Sequence, residues 1–321
     1  HLRGLPRVTS VRSLSKAELS QVVVVFEDGV DTYWTRQIVF ERLAAVRETL
    51  PPGVDPELGP ISTGLGEIFQ YTLEGDGLSP TDLRTIQDWI VAPLLKPVRG
   101  VNEVNSFGGF VKQYQVLIRP ERLVKYGLTV GEVASALERS NGNAGGGVLV
   151  EGWEQAYLRG VGLLKDIPDI ERVVLKAHDG TPVYLRDVAD VVIGAEPRQG
   201  AVSRDGKGEV VAGMVIMLKG ENGKRIAERV KAKVAEIAES LPKGLSIVPF
   251  YDQSEVIDRT SYTVRKNLLE GSLLVVLVLF VFLKDLRAAL VVAAVIPLSM
   301  LVGFLGMKLF GVSANLMSLG A

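Results

Sequence analysis

Residues 209–252 read EVVAGMVIMLKGENGKRIAERVKAKVAEIAESLPKGLSIVPFYD. The first ten residues form an apolar run that is typical of a buried strand. The middle part predicts a helix, because its apolar residues recur at helical spacing along one stripe. Those residues are Ile226, Val230, Val234, Ile237 and Leu241. The helix should end at Leu-Pro-Lys-Gly (241–244), since proline cannot continue it. SIVPFYD then reads as a strand, so the stretch predicts a strand–helix–strand unit.

The same order of elements occurs near the start of the chain. Val22–Glu27 (VVVVFE) is a strand run, and Asp31 can cap the helix that follows it. The apolar stripe of that helix consists of Trp34, Ile38, Leu43, Val46 and Leu50. This helix should end at Leu-Pro-Pro-Gly (50–53), before another strand. Two copies of the same pattern predict an internal duplication.

A third group of elements lies between these two copies. The expected strands are Ile68–Leu73, Val101–Phe107 and Gln113–Ile118, and the expected helices are Ser79 to about Leu95 and Pro120–Ser140. Gly127 should interrupt the second of these helices. Strands that alternate with helices of this size predict an α+β fold built from repeated ferredoxin-like split βαβ subdomains. Their crossovers should be right-handed.

Asn141–Gly147 (NGNAGGG) is the strongest linker signal in the chain. It lacks the Lys-Ser/Thr of a phosphate-binding loop, so we do not interpret it as one. Short strands are expected after it, at 147–151, 154–159, 171–176 and 182–185. The segment up to about Gly194 is therefore predicted to be a small β-rich insertion.

Two apolar runs near the C-terminal end predict a transmembrane α-helical hairpin. Ala288–Met307 carries no charge and is long enough to cross a bilayer. Gly271–Leu283, extended by Leu268 and Leu269, precedes it. The short turn Lys284–Arg287 contains two cations and should be cytoplasmic. The large domain before the hairpin would then be periplasmic in a bacterium with two membranes.

Composition excludes several classes of function. The net charge of −1 gives no support for binding nucleic acid. The absence of cysteine excludes disulfides, thiolate metal sites and cysteine nucleophiles, and two histidines argue against a site with several histidine ligands. His178 lies in a polar turn, and no serine lies in a Gly-x-Ser-x-Gly elbow. We therefore expect no enzyme, no catalytic residue and no cofactor. Because the chain starts at His1 without methionine and stops after an apolar span, we expect a piece of a longer protein.

Five stretches resemble a known family. PVYLRDVADVVIG (182–194) and PFYDQSEVIDRT (249–260) resemble segments of the resistance–nodulation–division (RND) efflux pumps. GPISTGLGEIFQYTLEG (59–75), FGGFVKQYQVLIRPERLVKYGLTVGEVASAL (107–137) and FGVSANLMSLGA (310–321) resemble its heavy-metal-efflux branch, the cobalt–zinc–cadmium and copper–silver exporters. The resemblance covers essentially the whole chain.

The resemblance implies a map of the chain. Residues 1–64 would be the latter part of the first porter subdomain. Residues 65–146 and 195–254 would be the two halves of the second porter subdomain, and 147–194 the β-rich docking subdomain inserted between them. Residues 255–321 would be transmembrane helices two and three and the start of helix four.

The resemblance also implies a function and partners. The full-length protein would be a proton-driven exporter of heavy-metal cations in the bacterial inner membrane, with residues 1 to about 260 periplasmic. It would be a homotrimer in membrane lipid that works with a periplasmic adaptor protein and an outer-membrane channel, without nucleic acid. The transported cation and the proton gradient would take the place of cofactors. The proton-relay acids and the main metal ligands are expected beyond Ala321.

Glu67 is the candidate residue for the metal path. It begins a strand after a glycine-rich approach, in the region that borders the substrate cleft of related pumps. A carboxylate suits zinc, cobalt or cadmium, and strand alternation should place Glu67, Phe69 and Tyr71 on one face. The alternative interpretation is a solvated charge at a strand end. Met214 and Met217 lie three residues apart on a strand and should face opposite sides, each packed in a core.

Other classes of protein remain open at this point. A multidrug RND exporter would line its cleft with aromatic side chains instead of Glu67. A membrane-anchored binding or sensor module would need a domain that folds unaided. A hydrolase would show turnover in an assay.

Overall fold

The computed structural model of this chain describes residues 2–17, 19–62, 66–178, 180–198, 200–206, 208–242, 244–283 and 286–310. The chain divides into two compact units, His1–Ser62 and Thr63–Ala321. Within the described residues, the first unit contains a hairpin and a long helix. The second unit contains the mixed sheets and helices that follow.

The hairpin of the first unit is antiparallel and joins β1 (Val8–Lys16) to β2 (Leu19–Phe26). Helix α1 (Thr32–Val46) begins after Asp31, whose side chain accepts a hydrogen bond from the Trp34 amide at 2.8 Å. The predictions of β2, of α1 and of its cap are confirmed. The sequence analysis missed β1, because most of its residues are polar and no regular alternation marks it.

The first of the two expected strand–helix–strand copies does not close within this unit. β2 pairs with β1, and no described residue from 47 to 62 forms a strand. The next strand, Glu67–Gly75, belongs to a sheet of the second unit. Most residues of that strand are buried, and it has a neighbour on each side of it in that sheet. The prediction of a closed first copy is therefore wrong.

The second unit holds the remaining elements. Its strands are β3 (Glu67–Gly75), β4 (Val101–Phe107), β5 (Lys112–Ile118), β6 (Ala144–Glu151), β7 (Glu154–Gly160), β8 (Val174–His178), β9 (Thr181–Tyr184), β10 (Ala189–Ala195), β11 (Val202–Ser203), β12 (Glu209–Met217) and β13 (Leu245–Asp252). Its helices are α2 (Pro80–Ile86), α3 (Ala92–Leu95), α4 (Pro120–Tyr126), α5 (Val130–Ser140), α6 (Ile167–Glu171), α7 (Leu185–Val188), α8 (Gly223–Ser240), α9 (Gln253–Leu283), α10 (Leu286–Ala293) and α11 (Val295–Leu309). A π-helical turn, Gln87–Val91, joins α2 to α3. His178 was expected in a turn and is the last residue of β8.

The central sheet has five strands and is antiparallel throughout. β4, β12, β3 and β13 follow one another in that order, and the short strand β11 also pairs with β12. Phe69, Tyr71 and Leu73 of β3 are at most 1% exposed and form one core with Ile226 and Val230 of α8. The predicted stripe of α8 is the buried side of that helix. Two strand–helix–strand units, β3 to β4 and β12 to β13, therefore share this sheet.

The chain between β4 and β12 forms a second core of its own. β5 pairs with β10, and α4 and α5 pack with α6 and α7 over that pair. Leu123 and Val133 lie before Asn141–Gly147, yet they share this core with Leu185 and Val188. The cores therefore do not divide at the expected boundary between 146 and 147. They divide near Gly108 and Gly109, whose positive φ angles turn the chain away from the central sheet.

Parts of the β-rich segment differ from the expectation. The predicted linker ends early, because Ala144–Gly147 already belongs to β6, which pairs with β7. The strand expected at 171–176 starts later, since α6 occupies Ile167–Glu171. The side chain of Asp166 caps α6 by accepting a hydrogen bond from the Asp169 amide at 3.0 Å.

Long apolar helices end the described part of the chain. α9 runs unbroken for 31 residues. Within the described ranges, Leu290–Leu309 is the one helical stretch long and apolar enough to cross a membrane, with a mean hydropathy of 2.4. Lys284 and Asp285 of the expected cytoplasmic turn lie outside the described residues, as do residues 311–321.

Candidate metal-binding face

Glu67 begins β3 beside a β-bulge. Phe69 pairs with Val215 of β12, but the next residue of β12, Ile216, pairs with Glu67. Ile68 is therefore an extra residue in β3, and it reverses the alternation of side chains at this point. Glu67 consequently lies on the same face as Gln70, whose Nε2 donates a hydrogen bond to Glu67 Oε2 at 3.0 Å. The expectation that Glu67, Phe69 and Tyr71 share one face is wrong.

Phe69 and Tyr71 face the helices and not a cleft. Both side chains are buried in the central core. The Tyr71 hydroxyl donates a hydrogen bond to Gln87 Oε1 at 3.0 Å. Burial raises the pKa of Tyr71 far above its ordinary value, against the smaller opposing effect of Gln87. Tyr71 is therefore a neutral core residue and not a ligand.

The other face of the sheet carries half-buried polar side chains. We call it the open face, and it includes Glu67, Gln70, Glu103, Asn105, Met214 and Ile216. Ile216 pairs with Glu67 on one side and with Glu103 of β4 on the other. The two glutamates therefore flank Ile216, two strand spacings or about 10 Å apart. Neither has a cationic partner among the described residues.

The second row of the open face places Met214 between two amides. Met214 pairs with Gln70 of β3 and with Asn105 of β4. Met217 packs against the central core instead. The two methionines face opposite sides, as predicted, but the core packing predicted for Met214 is wrong. The first row offers carboxylates and the second offers a thioether flanked by amides.

Arg204 lies at the far end of the open face. Its Nη1 donates hydrogen bonds to Thr72 Oγ1 at 2.7 Å and to Glu74 Oε1 at 2.8 Å. The carboxylate of Glu74 is thus neutralised, so the negative charge of this face is concentrated around Glu67 and Glu103. Within the described part of the chain, no group of three or more acidic or histidine residues could hold a metal ion alone. Two carboxylates alone would be an incomplete metal site.

Sequence reasoning missed Glu103. β4 was predicted with the bounds observed, Val101–Phe107, but its partner strand could not be deduced from the local sequence. Its partner β12 lies more than 100 residues further along the chain. The strand order alone brings Glu103 to the open face beside Glu67.

Comparison with known proteins assigns the chain to a transporter family. The model of the AcrB/AcrD/AcrF family matches residues 1–321, and the chain is a member of that family. Its relatives are heavy-metal RND efflux transporters, as the resemblance implied. Their names describe efflux and resistance proteins and not enzymes.

Individual relatives are similar over the whole chain. Protein HelA of Legionella pneumophila is 48% identical, and the cobalt-zinc-cadmium resistance protein CzcA of Cupriavidus metallidurans is 47% identical; each match covers 100% of this chain and 31% of the relative. A crystal structure of a heavy metal efflux pump superposes with a TM-score of 0.88 at 39% identity, over 99% of this chain and 32% of that one. The chain thus spans about a third of the length of these relatives.

Proposed function

We propose that this chain is part of a proton-driven RND transporter that exports heavy-metal cations across the envelope of a two-membrane bacterium. The observation that carries the proposal is the pair of glutamates on the open face, Glu67 and Glu103. Carboxylates suit zinc, cobalt and cadmium, whereas copper(I) prefers sulfur ligands. The name of one relative, a cobalt-zinc-cadmium resistance protein, supports the same class of cargo. The metal is cargo, and the proton gradient supplies the energy.

Transport by the full-length protein tests this function. Purified pump in lipid vesicles should move Zn²⁺ when a proton gradient is imposed, and a protonophore should stop the flux. The rival multidrug exporter predicts gradient-driven movement of a dye and no movement of metal. The rival binding or sensor module predicts metal binding without any flux. Either of those two results contradicts the proposal.

The subdomain map is also part of the proposal. The central sheet has the element order of a split βαβ fold, which supports its assignment as the second porter subdomain. The second core, between β4 and β12, would be the inserted docking subdomain, so the insertion starts near residue 108 instead of 147. Residues 1–64 would belong to the first porter subdomain. The apolar helices α9 to α11 would form a transmembrane hairpin in the inner membrane, with the sheets in the periplasm.

The β6–β7 hairpin supports a trimer. Both strands are exposed along their whole length. Val150, Trp153 and Tyr157 expose 69%, 105% and 79% of their surface. A two-stranded hairpin is only marginally stable by itself in water. We therefore assign its apolar side chains to the interface with a second copy of the chain in a homotrimer. The adaptor and the outer-membrane channel would bind this assembled trimer.

The hairpin gives a prediction for assembly. Trp153→Ser combined with Tyr157→Ser should weaken the trimer of the full-length pump at least about tenfold, since buried aromatic side chains dominate the energy of interfaces. The measurement is the oligomeric state in detergent over a dilution series. Trp89→Ser is the control, because Trp89 is 79% exposed on the π-helical turn, outside the hairpin. A double variant that stays trimeric at every dilution at which the control is trimeric would contradict the assignment.

A further inference from the structure

Helix α9 is attached directly to the central sheet. Asp252 is the last residue of β13 and Gln253 is the first residue of α9, so no linker separates them. At 1.5 Å per residue the helix is about 46 Å long. Its first turns belong to the folded domain and its last turns are apolar. A displacement of the apolar end therefore reaches β13 unless the first turns of the helix bend.

One carboxylate joins the start of α9 to α8. Asp252 Oδ1 accepts hydrogen bonds from the amide and the hydroxyl of Ser254, at 2.8 and 2.6 Å. Asp252 Oδ2 lies 2.6 Å from Lys231 Nζ of α8. The Asp252 side chain is only 7% exposed. The same residue thus orders the first turn of α9 and ties that turn to a helix of the sheet.

Two further contacts hold the same pair of helices. Lys224 of α8 forms an ion pair with Asp258 of α9. Gly223 begins α8 against Gln253, and a Cβ atom at position 223 would lie 2.3 Å from Gln253 Oε1. A larger residue at position 223 would therefore displace the end of the Gln253 side chain. α8 therefore contacts both α9 and β13, and β13 continues directly into α9.

The Lys231–Asp252 pair stays charged under ordinary conditions. Burial alone would raise the pKa of Asp252, but the contact with Lys231 and the hydrogen bonds from Ser254 together keep it below its ordinary value. The contact with Asp252 raises the pKa of Lys231, against the effect of burial. Both groups are therefore ionised from about pH 4 to pH 10, the range between the ordinary values of the two groups.

We infer that Lys231 and Asp252 are positioning residues that make α8 and α9 one rigid joint, through which a displacement of the apolar helices moves the central sheet. The inference rests on the proposed transport function. Without the ion pair, α9 would still be attached through the backbone of β13, but its first turns could bend away from α8. Metal binding at the open face does not need the joint, whereas coupling of the proton gradient to transport does.

The test uses the full-length pump with Lys231→Met, which keeps the aliphatic stem and leaves the Ser254 contacts of Asp252 in place. Gradient-driven Zn²⁺ flux should fall about tenfold, while Zn²⁺ affinity without a gradient stays unchanged. Amide exchange in the first turn of α9 should become about tenfold faster, equivalent to about 1.4 kcal/mol. Lys231→Arg should restore both readouts.

Lys233→Met is the matched control. Lys233 lies on the same helix and pairs with Glu236 of that helix, 2.7 Å away, instead of with α9. This variant should transport like the wild type. Wild-type flux in Lys231→Met, or unchanged exchange in the first turn of α9, would overturn the inference. If the wild type itself moves no metal, the proposed function fails, and the exchange measurement still decides whether the joint exists.

Discussion

Replacing both Glu67 and Glu103 with glutamine should weaken the binding of Zn²⁺ by the full-length pump. The two carboxylates flank Ile216 on the open face. Glutamine keeps the shape and removes the charge that attracts a divalent cation. We expect affinity to fall at least about tenfold, the lower end of the loss seen when groups that support a metal site are removed. Gradient-driven Zn²⁺ flux and the metal resistance of cells should fall with it.

Glu74→Gln is the matched control for this experiment. Glu74 lies on the same strand, but its carboxylate is already paired with Arg204 at 2.8 Å. Its removal should leave affinity and flux unchanged, since exposed ion pairs contribute little. Each single variant, Glu67→Gln or Glu103→Gln, should have an intermediate effect. Calorimetric titration with Zn²⁺ measures the affinity, and expression and trimer content serve as checks on folding. Unchanged Zn²⁺ affinity and flux in the double variant would make both residues ordinary solvated charges.

The open face shows which part of such a site can be read from sequence. A strand was predicted at Ile68–Leu73, and Glu67 was identified as the candidate at its start. The prediction that Glu67 shares a face with Phe69 and Tyr71 was wrong, because the extra residue Ile68 reverses the alternation of side chains. A bulge depends on the register of the partner strand, and no local pattern marks it. Glu103 was missed for a related reason, since strand order determines what lies opposite Ile216.

The insertion shows a similar limit. The glycines of Asn141–Gly147 were interpreted as a linker, yet three of them lie in β6. The change of direction comes from Gly108 and Gly109, where the chain leaves the central sheet. A Cβ atom on Gly109 would lie 2.6 Å from the carbonyl oxygen of Pro80. Composition reveals where glycines accumulate, but only packing shows which of them the fold requires.

The elements with strong local signals were predicted well. The α8 stripe, the Asp31 cap and the interruption at Gly127 depend on residues within a few positions of each other. β1 had no such signal, because its polar residues become a strand only by pairing with β2. The difference between these cases is the distance along the chain over which the stabilising contacts are made.

Gly213→Ala should be among the most destabilising single changes in the central sheet. Gly213 lies in β12 directly opposite Tyr71 of β3. A Cβ atom there would lie 2.2 Å from Tyr71 Cζ and 2.4 Å from its hydroxyl oxygen. The ring cannot retreat, because Tyr71 and its partner Gln87 are both completely buried. Overpacking of a core costs about 1–3 kcal/mol, and breaking the Tyr71–Gln87 hydrogen bond would add about 1–3 kcal/mol more.

Gly131→Ala is the control for this variant. Gly131 lies in the first turn of α5, and a Cβ atom there meets nothing within 4 Å. Alanine is favoured over glycine in a helix by up to about 1 kcal/mol, so this change should be neutral or stabilising. Thermal unfolding of the full-length pump should show a clearly lower transition temperature for Gly213→Ala than for Gly131→Ala.

Tyr71→Leu in the Gly213→Ala background should cost less stability than the sum of the two single changes, because the smaller side chain relieves the clash. Strictly additive effects of Gly213→Ala and Tyr71→Leu on stability would contradict this prediction, as would equal transition temperatures for the two glycine variants. Either result would mean that the sheet adjusts around position 213 and that contact with Tyr71 does not require glycine there.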